Sequence, residues 1–319
     1  MSIIEKAIDK LGRKTPAPEQ APISDEEQVR KAVVEAQRLE EAGQLGDAGA
    51  PATDGGIGQR TLNLPFMEMK QKGMVTPDTP RGRAAEEFRR IKRPLLMNID
   101  GEGAAVIQRP NLIMVTSALP GEGKTFTAIN LAMSIAMEQD KTVLFVDADV
   151  SKATAARILG VPNDSKGLID VLEDASLNLR DVMYRTNLPN LRVLAAGRVH
   201  ERSTELLASE SMRRLMDELS RRYPDRVIVF DAPPLLPTTE AGVLANLMGQ
   251  IVFVVAAGET SQGAVTEALT HIDGDKMIGL VLNKSTARFG ASYGYGYGYD
   301  FGYGYGYGQD GQRVSQQDG

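Results

Sequence analysis

An α/β fold, a mostly parallel sheet with helices on both faces, is predicted by three features of the 319-residue chain. Short runs that are apolar at every position recur through its middle, helical patterns separate them, and turn residues close most of the runs. Runs without polar alternation suit strands buried on both faces, and helices between them supply parallel crossovers. Strands are expected at Leu112 to Thr116, Val143 to Val146, Leu191 to Ala195, Val227 to Phe230, Ile251 to Ala256 and Ile278 to Leu282. Helices are expected at Lys124 to Gln139, Thr204 to Arg222, Thr238 to Leu247 and Gly263 to Ile272. In such a sheet the functional site lies at the carboxyl ends of the strands.

The two ends differ from this middle. Ile3, Ile4, Ala7, Ile8 and Leu11 fall on one face of a short helix, which is either a solvated end or a docking peptide for a partner or membrane surface. Ser24 with Glu27 forms a capping box for a second helix running to about Gly43. From there to Pro80 the composition turns to Gly, Ala, Pro and Thr, a linker with one short element near Leu64 to Met69. Residues 289–319 hold a glycine-tyrosine run that cannot build a core of its own and is expected to be disordered. The expected organisation is therefore an N-terminal extension at 1–80, a folded domain at 81–288 and a disordered tail at 289–319.

Composition removes several function classes. Net charge is −6 and the pI about 5.2, so nothing favours nucleic acid as a partner of the whole chain. Cysteine is absent, which removes disulfides, thiol catalysis and thiolate metal sites, and points to a reducing cytoplasm. His200 and His271 are too few for a zinc set. The apolar runs fall short of the roughly 20 residues that span a bilayer, so any membrane role is borrowed from a partner.

The chemistry is carried by three motifs. Ala118-Leu119-Pro120-Gly121-Glu122-Gly123-Lys124-Thr125 follows a predicted strand and opens a predicted helix, the context a phosphate-binding loop requires. Gly121 and Gly123 let the main chain turn tightly, and the main chain from Pro120 through Glu122 to Phe126 frames the phosphate cradle, with N–H donors from Gly121 onward. Lys124 supplies charge for the β- and γ-phosphates of ATP, and the Thr125 hydroxyl suits Mg²⁺. The strands ending in Asp147-Ala148-Asp149 and in Asp231-Ala232-Pro233-Pro234 deliver carboxylates to the same sheet edge. Taken alone, a strand-end acid can also simply cap a neighbouring helix, the lesser reading of the two.

With the loop and both acidic strands in hand, the chain resembles the bacterial tyrosine kinases, or BY-kinases, P-loop enzymes related to the partitioning and positioning ATPases. ALPGEGKT, VLFVDADV and VIVFDAPP are the matching motifs, and the terminal tyrosines match the family's tail. The positioning ATPases carry a signature lysine where Leu119 stands here. The resemblance implies that Lys124 and Thr125 bind ATP and Mg²⁺, that Asp149 and Asp231 organise the metal, and that Asp147 accepts the tyrosine proton. Ionising a free phenol at pH 7 costs about 4 kcal/mol, so an acceptor has work to do. Asn283, ending Gly279-Leu280-Val281-Leu282-Asn283, is either an adenine contact of this superfamily or a strand-ending turn former. Where the family often reads Arg or Lys followed by Pro, this chain has Ser151-Lys152-Ala153.

Two further features enter through the resemblance. In the family a Glu-x-x-Arg-x-x-Arg helix joins subunits into a ring. Two registers fit here, Glu87-Arg90-Arg93 and Glu86-Arg89-Lys92, and the pattern alone does not separate these from a solvated charged helix. The tail tyrosines Tyr293, Tyr295, Tyr297, Tyr299, Tyr303, Tyr305 and Tyr307 become the expected phosphate acceptors, where an isolated run of this kind would read as a stacking segment or spacer. The expected function is ATP-dependent tyrosine autophosphorylation regulating exopolysaccharide synthesis or export. Expected partners are a homo-oligomeric ring, a separate membrane activator that brings the cytoplasmic chain to the inner membrane, and a cognate tyrosine phosphatase. The alternative is a P-loop ATPase that positions partners, with the tail as an interaction segment.

Overall fold

The computed structural model describes residues 60–103, 106–198, 200–222 and 226–285. The helices expected before residue 44 and the tail beyond 285 lie outside these residues. Eight strands form one sheet: β1 (Thr61–Leu62), β2 (Leu112–Ser117), β3 (Thr142–Asp147), β4 (Tyr184–Thr186), β5 (Leu191–Leu194), β6 (Arg226–Asp231), β7 (Gln250–Ala256) and β8 (Met277–Asn283). Their spatial order is β1-β4-β5-β3-β6-β2-β7-β8, and every neighbouring pair is parallel except β4 with β5. The fold class is the expected one, and all six expected strands form within a residue of their ends. Strand β2 is buried at all six positions because helices cover both faces. Ile113 and Val115 enter one core cluster while Leu112 and Met114 enter the other, as the two-residue period of a strand requires.

On the first face lie α1 (Phe66–Gln71), α2 (Arg83–Ile99), α3 (Lys124–Ala136) and α4 (Thr154–Leu159). The second face is covered by α5 (Leu168–Glu173), α6 (Leu179–Val182), α7 (Ser203–Leu207), α8 (Glu210–Arg222), α9 (Thr239–Leu247) and α10 (Gln262–Leu269). The helix expected over 204–222 is two helices, interrupted where the Ser209 hydroxyl accepts the Met212 N–H at 3.2 Å and starts α8 anew. Helices α4, α5 and α6 and strand β4 have no counterpart in the expected elements. They run for six residues or fewer, too short for a period to declare itself.

The folded region also begins before the expected boundary at residue 81. Thr61 and Leu62 pair with Arg185 and Thr186, and Leu62, Leu64, Met69, Met74 and Val75 are buried in the first-face core. The Leu64 N–H donates to Asn187 Oδ1 at 3.0 Å, and the Val75 N–H donates to buried Asn130 Oδ1 at 2.5 Å. A stretch read as linker from its Gly, Pro and Thr content is thus an arm strapped over the sheet by apolar anchors too widely spaced to show a period.

The carboxyl end of α2 is fixed by Gln250, a fully buried amide at the start of β7. Its Nε2 donates to the Leu95 carbonyl at 3.1 Å and the Pro110 carbonyl at 2.6 Å, and its Oε1 accepts Asn98 Nδ2 at 2.8 Å. Gln250→Leu keeps the volume and orphans those partners, a cost of about 1–3 kcal/mol. Calorimetry should show Tm falling by about 2–4 °C for each kcal/mol; an unchanged Tm would remove Gln250 from this role.

Candidate active site

The loop Ala118–Thr125 joins the end of β2 to the first turn of α3. Two of its glycines have left-handed main chain, Gly121 at φ 87° and Gly123 at φ 97°. Only glycine takes such angles without strain. At Gly123 a Cβ would also meet Asn283 Nδ2 at 2.0 Å, so a side chain there would have to displace the Asn283 amide. Asn283 Nδ2 donates to the Glu122 carbonyl at 2.8 Å, which puts the last residue of β8 against the loop.

Glu122 is buried, and its carboxylate turns away from the cradle. One oxygen accepts the Leu119 N–H at 2.6 Å and the other accepts the Thr260 hydroxyl. Thr260 in turn accepts the Ala256 N–H at 3.2 Å. The loop is therefore tied to the β7–α10 turn by one of its own side chains, leaving the Glu122 main chain for phosphate. The Phe126 ring likewise packs into the first-face core, 6.4 Å from Phe88, so only its N–H is directed by the helix start. Pro120 is exposed at the loop's tip. Thr260 has no counterpart among the residues expected at the site: it follows β7 within Gly-Glu-Thr-Ser, and nothing local announces a partner 138 positions away.

The acids converge as the motifs anticipate. Parallel pairing of β3 with β6 sets Asp147 opposite Asp231, and both are fully buried. Lys124 Nζ donates to Asp149 Oδ2 at 2.5 Å and lies 4.0 Å from Asp231 Oδ1. Asp149 Oδ1 also accepts the Ser151 hydroxyl at 2.8 Å. Asp147 accepts main-chain N–H groups from Asp149 at 3.2 Å and Ala156 at 3.0 Å, so it holds the loop between β3 and α4 in shape. Ala153, inside that loop, takes left-handed main chain at φ 42°.

Burial dominates the protonation of two of the acids. The Asp147 carboxyl is pushed up to about 6 by removal from water, with the Asp149 charge adding to the rise and the two N–H donors opposing it. The Asp231 carboxyl is pushed up to about 7, again mainly by burial, and the Lys124 ammonium pulls the other way. Thr125 lies near enough to favour the charged Asp231, yet neither carboxylate oxygen closes a hydrogen bond of normal geometry. A buried carboxylate with both oxygens unmatched fits a cation-binding position. Among the described residues no group of three or more acids and histidines could hold a metal by itself. A divalent ion here would draw on Thr125, Asp149, Asp231 and phosphate oxygens, the sparse protein ligation Mg²⁺ favours.

On α2 the described structure separates the two registers. Lys92 is buried, donating to the Ser134 carbonyl at 2.7 Å and pairing with Glu138, so it fastens α2 to α3. Arg89 pairs with Glu86 and reaches the Pro80 carbonyl, and Arg83 pairs with Glu87 at 2.8 Å. Arg90 and Arg93 are exposed, and neither has a side-chain partner among the described residues. The tail tyrosines lie outside the described residues.

Residues 111–273 match a family profile described as an AAA domain. The tyrosine-protein kinase YwqD of Bacillus subtilis is 32% identical over 226 residues, which cover 70% of this chain and 91% of YwqD. The putative tyrosine-protein kinase CapB of Staphylococcus aureus is 31% identical over 231 residues, covering 70% of this chain and 96% of CapB. Among solved structures, the kinase domain of Escherichia coli tyrosine kinase ETK superposes with a TM-score of 0.57 at 27% identity, over 74% of this chain and 87% of that one. The chimerical protein CapA2B2 does so with 0.55 at 27% identity, over 68% and 97%.

The raised acids set a pH dependence. Folded Asp231 binds its proton more tightly than the unfolded side chain does, so its contribution to stability is present at low pH and is lost as pH rises from about 4 to about 7. The Tm of Asp231→Asn minus that of the parent, measured without nucleotide, should therefore become more positive between pH 5 and pH 8. A difference that stays flat across that range would refute the assignment.

Proposed function

The chain belongs to the family of bacterial tyrosine-protein kinases, and on that footing we propose that it is an autokinase that transfers the γ-phosphoryl group of ATP to tyrosines of its own carboxyl end. The observation that carries this reading is the contact between Asn283 and Glu122. The strand that releases the tail ends on the phosphate loop, and Tyr293 follows ten residues later (293 − 283). At about 3.3 Å per residue such a segment reaches about 33 Å, enough for its own site or a neighbour's.

In this reaction the tyrosine oxygen bonds to the γ-phosphorus, the bond from that phosphorus to the β–γ bridging oxygen breaks, and ADP departs with those electrons. The main-chain N–H groups of the loop bind and orient the phosphates. Lys124 is held by Asp149, and bound phosphate oxygens would compete for the same ammonium. Thr125, Asp149 and Asp231 would hold Mg²⁺, which neutralises charge on the β- and γ-phosphates. The phenolic proton passes to Asp147, whose raised pKa, about 6, suits a proton acceptor at neutral pH. Each Asp147 oxygen already accepts one N–H and keeps a lone pair for that proton. Asn283, already against the loop, is the proposed adenine contact.

The wider setting belongs to the same proposal. The outward face of α2, with Glu86, Glu87, Arg89, Arg90 and Arg93, joins copies into a ring, while Lys92 serves inside the subunit. A separate membrane activator recruits the chain to the inner membrane and couples it to exopolysaccharide synthesis or export, and a tyrosine phosphatase reverses the modification. Among the described residues no helix is long and apolar enough to cross a membrane. Each phosphotyrosine adds about −1.5 to −2 charges, so a fully modified tail repels its neighbours and loosens the assembly.

Incubation with Mg-ATP and mass spectrometry should place phosphate on Tyr293 to Tyr307 in the parent, and Lys124→Met should lower it by about 100-fold or more. ATP turnover that leaves every tyrosine unmodified would replace this reading by that of a positioning ATPase. For the ring, Arg90→Glu with Arg93→Glu should reduce both oligomer size and phosphorylation at an unchanged Tm, because these groups are exposed and have no side-chain partner among the described residues. Lys92→Met should instead lower Tm by several degrees, breaking a buried hydrogen bond worth about 1.5–3 kcal/mol. An intact oligomer in the double arginine variant would exclude that face.

A further inference from the structure

The sheet ends very differently at its two sides. On one side β1 is two residues long, too short to template another strand. On the other, β8 runs for seven residues, Met277-Ile278-Gly279-Leu280-Val281-Leu282-Asn283, with no charge and no proline. It pairs only with β7, so among the described residues its outer edge has no strand partner. Natural sheets seldom leave so long and apolar an edge open, because its unpaired main-chain groups invite another strand.

The face of that edge is open as well. Ile278, Leu280 and Leu282 stand beside Ile251, Phe253 and Val255 and extend the second core cluster outward. Leu280 is nonetheless 63% exposed and Leu282 64% exposed. Two neighbouring leucines thus prolong the core into solvent at the rim of the sheet.

The chain itself supplies a segment of matching pattern. From 293 to 307 every odd position is aromatic, and every even position is glycine save Asp300. Position 301 is phenylalanine, so the two-residue period continues through a ring that has no hydroxyl to modify. A string of phosphate acceptors needs tyrosines but no strict alternation, and it gains nothing from Phe301. A strand needs both, since alternation puts all the rings on one face and all the glycines on the other.

We propose that the aromatic-glycine run docks as a ninth, antiparallel strand on the outer edge of β8 of its own chain, with its rings over Leu280 and Leu282. Direction follows from the connection: residues 284–292 number nine (292 − 284 + 1), whereas a parallel return needs a crossover of about a dozen or more. Lys284 starts the reversal, with left-handed main chain at φ 58° and an ion pair to Glu259 at 2.7 Å. With Tyr295 opposite Leu282 and Tyr297 opposite Leu280, residues 294–300 match the seven-residue length of β8, and the short tether keeps the local concentration of the run high. The glycines then fall on the face of Val281 and Asn283, adding no side chain beside the nucleotide loop. Glycine's large loss of chain freedom keeps the docked strand weak and reversible.

The docked run is a store of unmodified acceptors. A phosphate dianion on a ring lying over leucine would have to leave water, so a modified tail stays undocked. That consequence rests on the kinase reading; the docking itself does not.

The absence of cysteine makes the test direct. Leu282→Cys is combined with one cysteine at a time at each position from Gly294 to Tyr299, in full-length Lys124→Met chain so that no phosphate transfer intervenes. Facing residues on paired strands lie within disulfide reach. Mild oxidation should give disulfides within one chain, about tenfold faster at tyrosine positions than at the intervening glycines. Replacing the remaining tail tyrosines by glutamate should abolish them, and replacing them by phenylalanine should not. A flat profile along the tail, no disulfide at any position, bonding chiefly between chains, or equal yields with glutamate and phenylalanine would each overturn the proposal. Because Lys124→Met is silent in transfer, failure here leaves the kinase reading standing, and failure of transfer in the parent leaves this one standing.

Discussion

Three carboxylates withdrawn from water, with a single ammonium among them, constrain the rest of the molecule. Desolvating Asp147, Asp149 and Asp231 is costly, and among the described residues Lys124 offsets it with opposite charge inside the site. The cluster exists because the β3–β6 register brings Asp147 and Asp231 side by side, and because a left-handed Gly123 starts α3 where its first residue meets Asp149. Well-packed apolar residues would make a more stable sheet edge. Groups left short of partners in the protein are the ones suited to a metal ion and a polyphosphate.

Much of this was legible in the sequence. Strands buried on both faces advertise themselves by unbroken apolar runs, and the loop with its two acidic strand ends carries its chemistry in residue type and spacing. The six expected strands and the acid cluster therefore follow directly. What escaped depends on distance along the chain. Thr260 supports Glu122 from 138 residues away, and Gln250 grips α2 from more than 150; no local pattern encodes either pairing. The two charge registers of α2 could not be told apart from spacing, since burial of Lys92 depends on where α3 ends and Glu138 stands.

The sheet's asymmetry has the same origin. A two-residue strand such as β1 is set entirely by the partner it meets, so Thr61–Leu62 is invisible as a strand until Arg185 is beside it. The long edge of β8 was legible as a strand, while its exposure was not, because exposure depends on how far α10 extends across the neighbouring face.

The arm that precedes α2 gives the domain a mechanical property. Its buried Val75 N–H is anchored on Asn130 Oδ1, and the same side chain's Nδ2 donates to the Phe126 carbonyl in the first turn of α3. The arm's earlier anchors, the β1–β4 pairing and the Leu64 N–H on Asn187, hold it to the far side of the sheet, and its last one joins Val75 through a single asparagine to the turn that follows Lys124 and Thr125. A shift of the arm at Val75 is thereby passed to the first turn of α3 behind the phosphate cradle.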